Sequence, residues 1–255
     1  MGDPVTSFYD EMAESHHLIF RDWNWSIDWQ AGILGPLIER EFEAGRLKIL
    51  DCACGIGTQS LGLARRGHTV VGTDLSPGPI ARARREAAQR GLSIRFETAD
   101  MRDLGTLPES GFDVALAADN PLPHLDDESR LLQAARSIAS KLRPGGLFVT
   151  SIRDYDQILA ERPTAMPPAF FMDEGRRRIV HQVWDWTDDW NYTFHLYITR
   201  ETGSGWQCLH SASTYRALLR EELTRVLDAA GFGRIRWLMP AESGFYQPMV
   251  LATLL

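Results

Sequence analysis

The feature that most constrains this chain is the segment Leu47-Lys-Ile-Leu50-Asp51-Cys-Ala-Cys54-Gly55-Ile-Gly57. A short apolar run ends in an acid, opens into a glycine turn and continues as a helix-like segment to Arg66. The pattern then recurs. His68-Thr-Val-Val71 precedes an Ala/Arg/Glu-rich helix over 78–90, and Leu92–Phe96 and Phe112–Ala117 are further runs. A helix is expected over 126–142, and Lys141-Leu-Arg-Pro-Gly-Gly146 reads as a helix stop and turn before the run Leu147–Ile152. Strands alternating with helices predict α/β architecture, with βαβ units on a parallel sheet.

The flanks have a different texture. In residues 1–45, Phe8, Met12, Leu18 and Ile19 fall on one helical face and Ile33, Leu34, Leu37 and Ile38 on another, with the aromatic stretch Trp23–Trp29 between them. The proline-rich segment 161–171 cannot form a regular helix or a central strand. Residues 177–187, 190–200 and 206–214 predict antiparallel strands, a helix is expected over 216–230, and runs 232–239 and 246–254 close the chain. A length of 255 residues suits one α/β domain with a sizeable insertion. The expected organisation is an N-terminal helical lid (1–45), a sheet domain (46–152 and 215–255) and an antiparallel insertion (153–214).

Net charge is −7, and the basic clusters Arg82–Arg85 and Arg176–Arg178 read as solvated surface, so nucleic acid is not an expected partner. No apolar run approaches the roughly 18–20 residues of a membrane span. The acidic start lacks a signal core, and Asp3-Pro4 after Gly2 argues against myristoylation, so a cytoplasmic protein without a membrane partner is expected. Cys52 and Cys54 are too close to bridge easily and Cys208 is distant. No His or Cys follows at metal-ligand spacing, so reduced thiols and no metal are expected.

Gly55 and Gly57 permit a tight turn and close approach to a ligand, a device dinucleotide sites also use. Asp51 separates the readings. A carboxylate before the loop would repel a pyrophosphate, whereas the amino-acid end of S-adenosyl-L-methionine offers an ammonium that a carboxylate, or its bound water, can hold. Asp74, with Leu75 beside it, ends the second run and can accept from both ribose hydroxyls. Asp100 follows the third and can accept from an adenine amino group, with Met101 packed on the ring. Each acid alone is commonly a cap or loop residue. Three at the carboxyl ends of successive strands fit a positively charged adenosyl cofactor, leaving S-adenosyl-L-homocysteine as product.

With these residues in place, the chain resembles the class I S-adenosylmethionine-dependent methyltransferases. Asp51–Gly57, including Cys54, looks like their first motif, and Asp74, Asp100-Met101, Asp119 and Leu142-Arg-Pro-Gly-Gly146 follow in the family's order. The resemblance implies a doubly wound, mostly parallel seven-stranded Rossmann-like sheet whose antiparallel seventh strand lies beyond residue 216. It also implies cofactor contacts at Cys54 and Asp119. A closer resemblance, to the glycine/sarcosine N-methyltransferase-like group, rests on Phe8-Tyr-Asp10, His17–Trp23, Asp119-Asn120-Pro-Leu-Pro123-His124 and Ser151-Ile-Arg153-Asp154-Tyr155-Asp156. It implies an amine or amino-acid acceptor. An O- or C-methyltransferase of a natural-product intermediate, a non-catalytic cofactor-binding protein and a dinucleotide-dependent oxidoreductase are the competing readings.

Methyl transfer needs a lone pair aligned with the methyl carbon, water excluded and sometimes a proton removed. Asn120 is placed to orient an acceptor, and His124 to act as a base or hydrogen-bond donor. Arg153, with Tyr155 beside it, can clamp a carboxylate, unless it ion-pairs with Asp154 or Asp156. Arg176 offers a second carboxylate binder. Tyr9, His16, His17 and Trp23 would fold over the acceptor. Trp184, Trp186 and Tyr197 either face a methylated ammonium or form the insertion's own core. The sequence leaves the oligomeric state open, a homodimer included.

Overall fold

A computed structural model describes residues 4–43 and 45–255. Residues 1–3, on which the lipidation reading rests, and Ala44 lie outside it. The chain opens with α1 (Pro4–Met12), a 3-10 turn (His16–Ile19) and α2 (Trp23–Glu39). The alternating region follows as β1 (Lys48–Asp51), α3 (Thr58–Arg65), β2 (Thr69–Asp74), α4 (Pro77–Gln89), β3 (Arg95–Thr98), β4 (Phe112–Ala117), α5 (Glu128–Ala139) and β5 (Leu142–Ser151). Beyond it lie α6 (Tyr155–Glu161), β6 (Ala165–Asp173), β7 (Arg176–Trp186), β8 (Asn191–Thr202), β9 (Gly205–Arg216), α7 (Arg220–Ala229), β10 (Phe232–Leu238), α8 (Pro240–Ser243) and β11 (Met249–Leu254).

Seven strands form one sheet in the order β10-β11-β5-β4-β1-β2-β3. β1 to β5 are parallel, and β11 runs antiparallel between β5 and β10. The central strands are buried on both faces, as parallel strands require, and so read as unbroken apolar runs. One face carries Ile49, Val114, Val149 and Leu251 against Leu34 and Ile38 of α2. The other carries Leu50, Ala115, Phe148 and Val250 against Leu131 of α5 and Leu223 of α7. The connections reverse direction between β1 and β4, and there the strand ends open a crevice.

β6 to β9 form a second, antiparallel sheet. Its inner residues Val180, Trp184, Phe194, Leu196 and Tyr215 join the same core cluster as Leu50 and Phe148, so it is welded to the main sheet. β6 is an edge strand whose register slips between Met166 and Ala169, around Pro167-Pro168. An edge bulge is where a strand tolerates proline.

Several expected boundaries shift. Residues 155–161 form a helix whose N-cap, Asp154, accepts from the Gln157 N–H at 3.4 Å. The helix expected from residue 216 starts at Arg220, because β9 stays paired with β8 as far as Arg216 opposite Asn191. The third strand lies at Arg95–Thr98 rather than Leu92–Phe96. Strand β5 already begins at Leu142, opposite Phe112, and its register with β4 breaks before Leu147 pairs Val114, so Arg143–Gly146 is an irregularity within the strand. The tryptophan-rich stretch is the start of α2, capped where the Asp22 carboxylate accepts from the Trp25 N–H at 3.1 Å. α2 is a layer helix packed on α3, and a Cβ at Gly62 would come within 2.6 Å of the Ile27 carbonyl oxygen. α1, the 3-10 turn and Trp25, Ser26, Trp29 and Gln30 of α2 all border the crevice. Among the described residues no helix is long and apolar enough to cross a membrane, and no group of three candidate ligands could hold a metal. The three cysteines are free.

Candidate active site

A cleft of about 1110 Å³ runs along the carboxyl ends of the sheet strands, between α1 and the inner face of β7 to β9. That exceeds the roughly 300–1,000 Å³ of a site for one drug-sized ligand.

The glycine loop borders one part of it. Asp74 accepts from the Gly55 N–H through Oδ2 and the Ser76 N–H through Oδ1, both at 2.9 Å, and so clamps the loop to the end of β2. Burial pushes its pKa up against the pull of those backbone donors. Gly55 has φ +51°, and the next residues lining the cleft are Ile56 and Thr58. Cys54, Leu75, Asp100, Met101 and Asp119 also line it. Asp100 is gripped by the Arg102 guanidinium, with Nη2 2.6 Å from Oδ2. His16 sits over the loop, and burial lowers its pKa to about 4, so its ring is neutral at pH 7.

Two loop residues stand elsewhere than expected. Asp51 does not line the cleft. It is 1% exposed beneath the loop and accepts from Ser60 Oγ at 2.7 Å, and burial raises its pKa to about 7. Side-chain direction at the strand end, invisible in sequence, turned this acid inward. Gly57 caps α3 at φ +95°, a left-handed conformation that glycine adopts without strain, and does not line the cleft.

The opposite side is aromatic. Arg153 enters the cleft from the end of β5, and its guanidinium carbon lies 4.8, 5.0 and 5.3 Å from the ring centroids of Trp184, Phe194 and Tyr215. Its Nη1 donates to the Tyr192 hydroxyl at 3.0 Å. Among the described residues it has no carboxylate ion-pair partner, because Asp154 and Asp156 both pair with Arg220. Of the three aromatics weighed as cage or core, Trp184 is buried in the core and stacks on the protein's own guanidinium, while Trp186 and Tyr197 do not line the cleft. Tyr9 Oη lies 2.9 Å from His124 Nε2 and 3.4 Å from the Tyr215 hydroxyl. Asp10, next along α1, accepts from the Gly78 N–H at 2.7 Å, so the same helix is tied to α4.

Asn120, at φ +71°, is a brace. Its carbonyl oxygen accepts from the Arg153 N–H at 2.9 Å and its amide donates to the Tyr155 hydroxyl at 3.0 Å. Tyr155 is fully buried behind it, outside the cleft. Trp23 is also away from the cleft. It packs in the core beside α4, donates to Thr58 Oγ1 at 2.8 Å and is overlain by Arg82 and Arg90. Arg176, at the start of β7, is exposed and outside the cleft. Arg178 is buried, with Nη2 2.9 Å from Asp173 Oδ1, and donates to the Leu18 and Phe20 carbonyls, fastening the 3-10 turn to the second sheet. Trp29, Tyr215, Tyr246 and Gln247 line the cleft without having been anticipated. Gly244-Phe-Tyr246-Gln-Pro, an aromatic loop just before the last strand, was the available signal for two of them.

The sheet order, the crevice at the strand reversal and the acids Asp74, Asp100 and Asp119 around a glycine loop form a Rossmann-like site whose acidic rim suits a cationic ligand. Residues 49–146 match the family model described as a methyltransferase domain. These residues thus carry a methyltransferase domain. The chain is 32% identical over 140 residues to a glycine/sarcosine N-methyltransferase of Parasynechococcus marenigrum, covering 54% of this chain and 50% of the relative. The chain spans about half the length of that relative. In fold it is similar to an S-adenosylmethionine-dependent methyltransferase from Clostridium acetobutylicum (TM-score 0.75, 16% identity, 99% of each chain). It is also similar to CalS10, an amino pentose methyltransferase from Micromonospora echinaspora solved with S-adenosylmethionine bound (TM-score 0.72, 20% identity, 90% and 92% of the chains).

Proposed function

We propose that the protein transfers the methyl group of S-adenosylmethionine to the nitrogen of a small amine or amino acid that carries a carboxylate. The observation that carries this reading is Arg153, a guanidinium in the cleft with no acidic partner among the described residues. An unpaired cation amid aromatic rings favours an anionic ligand that supplies both charge and hydrogen-bond acceptors. The glycine/sarcosine and amino pentose enzymes named above supply the precedent for nitrogen as acceptor atom. The size of the cleft supports an acceptor larger than glycine beside the cofactor.

S-adenosylmethionine, when bound, supplies a methyl carbon activated by sulfonium. In this reading Asp74 holds the ribose hydroxyls, Leu75 and Met101 flank the adenine, and the backbone at Cys54 and Gly55 lies against the cofactor. Asp100 reaches the adenine amino group once Arg102 shares it. Arg153 binds the acceptor carboxylate, with Asn120 and Tyr155 positioning its backbone. Tyr9 accepts a proton from the acceptor ammonium as it passes its own to His124 Nε2, leaving a free lone pair for in-line attack. α1 and the aromatic rings keep water from the reacting atoms.

The test is S-adenosylhomocysteine release from a panel of amines, amino acids and hydroxylated compounds. Turnover confined to carboxylate-bearing amines is the expected result. Turnover of hydroxyl compounds alone would favour O-methylation, and cofactor binding without turnover of any compound would favour a non-catalytic role.

A further inference from the structure

The tryptophan-rich start of α2 does more than pack. Trp25 and Trp29 stand one helical turn apart and stack, with ring centroids 5.7 Å apart and planes inclined by 14°. Trp29 stacks in turn on Phe245 and Tyr246, at 5.9 and 5.8 Å. Trp25, Trp29 and Tyr246 line the cleft, yet Trp25 is 59% exposed and Tyr246 47%. A continuous stack of large rings left open to water marks a surface that binds something. The platform is also held in place. Asp22 caps the helix through the Trp25 N–H, Tyr246 Oη donates to Asp119, and Gln247 beside it accepts from Ser151 Oγ at 2.8 Å.

We infer that Trp25, Trp29 and Tyr246 form a subsite for a flat aromatic ring at the far end of the acceptor. The inference rests on the proposed reaction and extends it, giving the acceptor a second recognised end. The cofactor does not supply that ring. Its one flat ring is adenine, which that reading places at Met101 after β3. Tyr246 precedes β11, five strand spacings away in the sheet, or about 24 Å. The acceptor's anchor is nearer. Burial of the hydroxyl end and the Asp119 carboxylate push the pKa of Tyr246 up, and the Arg153 guanidinium pulls against them, so the platform lies within the field of that cation. A sugar fits less well than an aromatic ring, because its hydroxyls need hydrogen-bond partners and the polar groups around these rings bond one another. Gln59 donates to Gln30 at 2.8 Å, Tyr246 to Asp119 and Ser151 to Gln247.

The experiment compares amino acids with and without a terminal phenyl ring, the chain lengthened methylene by methylene, as acceptors for the wild type, Trp25→Ala and Trp25→Phe. Free indole, which carries neither ammonium nor carboxylate, is titrated separately into the protein loaded with S-adenosylhomocysteine. The wild type is expected to favour phenyl-bearing acceptors about tenfold in kcat/KM, Trp25→Ala to lose that preference and Trp25→Phe to recover most of it. Indole should bind Trp25→Ala about tenfold more weakly than the wild type. It should bind Trp206→Ala, whose exposed ring lies outside the cleft, as the wild type does. A wild type that turns over amino acids with no ring preference at any chain length would overturn the subsite and leave the proposed reaction standing. A ring preference or indole binding that survives Trp25→Ala would also overturn it, and a preference for glycosyl amines over phenyl ones would give the platform to a sugar instead. Indole binding that depends on Trp25, with no acceptor turned over, would undo the proposed reaction and leave the subsite in place.

Discussion

The Tyr9 hydroxyl lies 2.9 Å from Nε2 of His124, whose Nδ1 is 3.2 Å from the Thr214 carbonyl oxygen. A carbonyl can only accept, so Nδ1 carries the ring proton and Nε2 is the acceptor for Tyr9. His124→Ala is expected to lower kcat by about 10²-fold, within the usual range for a lost general base, with cofactor Kd unchanged. Tyr9→Phe should lower kcat similarly, and the double variant should lose little more than either single one. Additive losses measured by steady-state kinetics would mean the two side chains act separately.

Arg153→Ala is expected to raise the acceptor's KM far more than it weakens cofactor binding. Arg153→Lys keeps the charge but loses the planar fork and the stacking on Trp184, so it should recover only part of the affinity. Calorimetric cofactor titration beside acceptor kinetics decides the matter, and equal loss of both would make Arg153 structural.

Arg178→Ala removes the donor that joins the Leu18 and Phe20 carbonyls, in and just after the 3-10 turn, to Asp173. Hydrogen bonds to a charged group are worth about 1.5–3 kcal/mol each, so a loss of at least about 2 kcal/mol in unfolding free energy is expected. Cofactor affinity should fall as well, because the turn holds His16 over the glycine loop. Denaturant titration and cofactor binding measure the two effects.

Asp51 gives stability a pH dependence of definite sign. Its carboxyl moves from an ordinary 3.8 to about 7 on burial. Between those values the folded state holds the extra proton, so stability falls as pH rises from about 4 to 7 and levels off above. The raised Asp74 and Asp119 act in the same direction. At about 1.4 kcal/mol per unit the Asp51 contribution is a few kcal/mol at most. Asp51→Asn should flatten the decline, read as a smaller change in unfolding free energy between pH 5 and pH 8. Parallel pH curves for the two proteins would contradict the assignment.

Periodicity made the alternating region legible, and β4 fell at Phe112–Ala117 as expected. The antiparallel insertion was visible because its strands alternate and its turns carry Asp and Gly. What failed was set by distant partners. Arg153 sits beside Asp154 in sequence, yet Arg220, far along the chain, takes that acid and frees the guanidinium for the cleft. Trp23 looked like a lid residue until α2 packed on α3. Asp51 ends β1 and Asp119 follows β4, yet the first is buried against Ser60 and the second lines the cleft. The arginine run 176–178 hid three fates: Arg176 exposed, Arg177 paired with Glu201 and Arg178 buried.

Helix α1 is latched at neighbouring residues to opposite shores of the cleft, through Asp10 to the backbone of α4 and through Tyr9 to His124. Nothing can lift this short rod from one shore without straining its hold on the other. In the proposed reaction, a substitution that loosens either latch is expected to change the rates of acceptor entry and product release together.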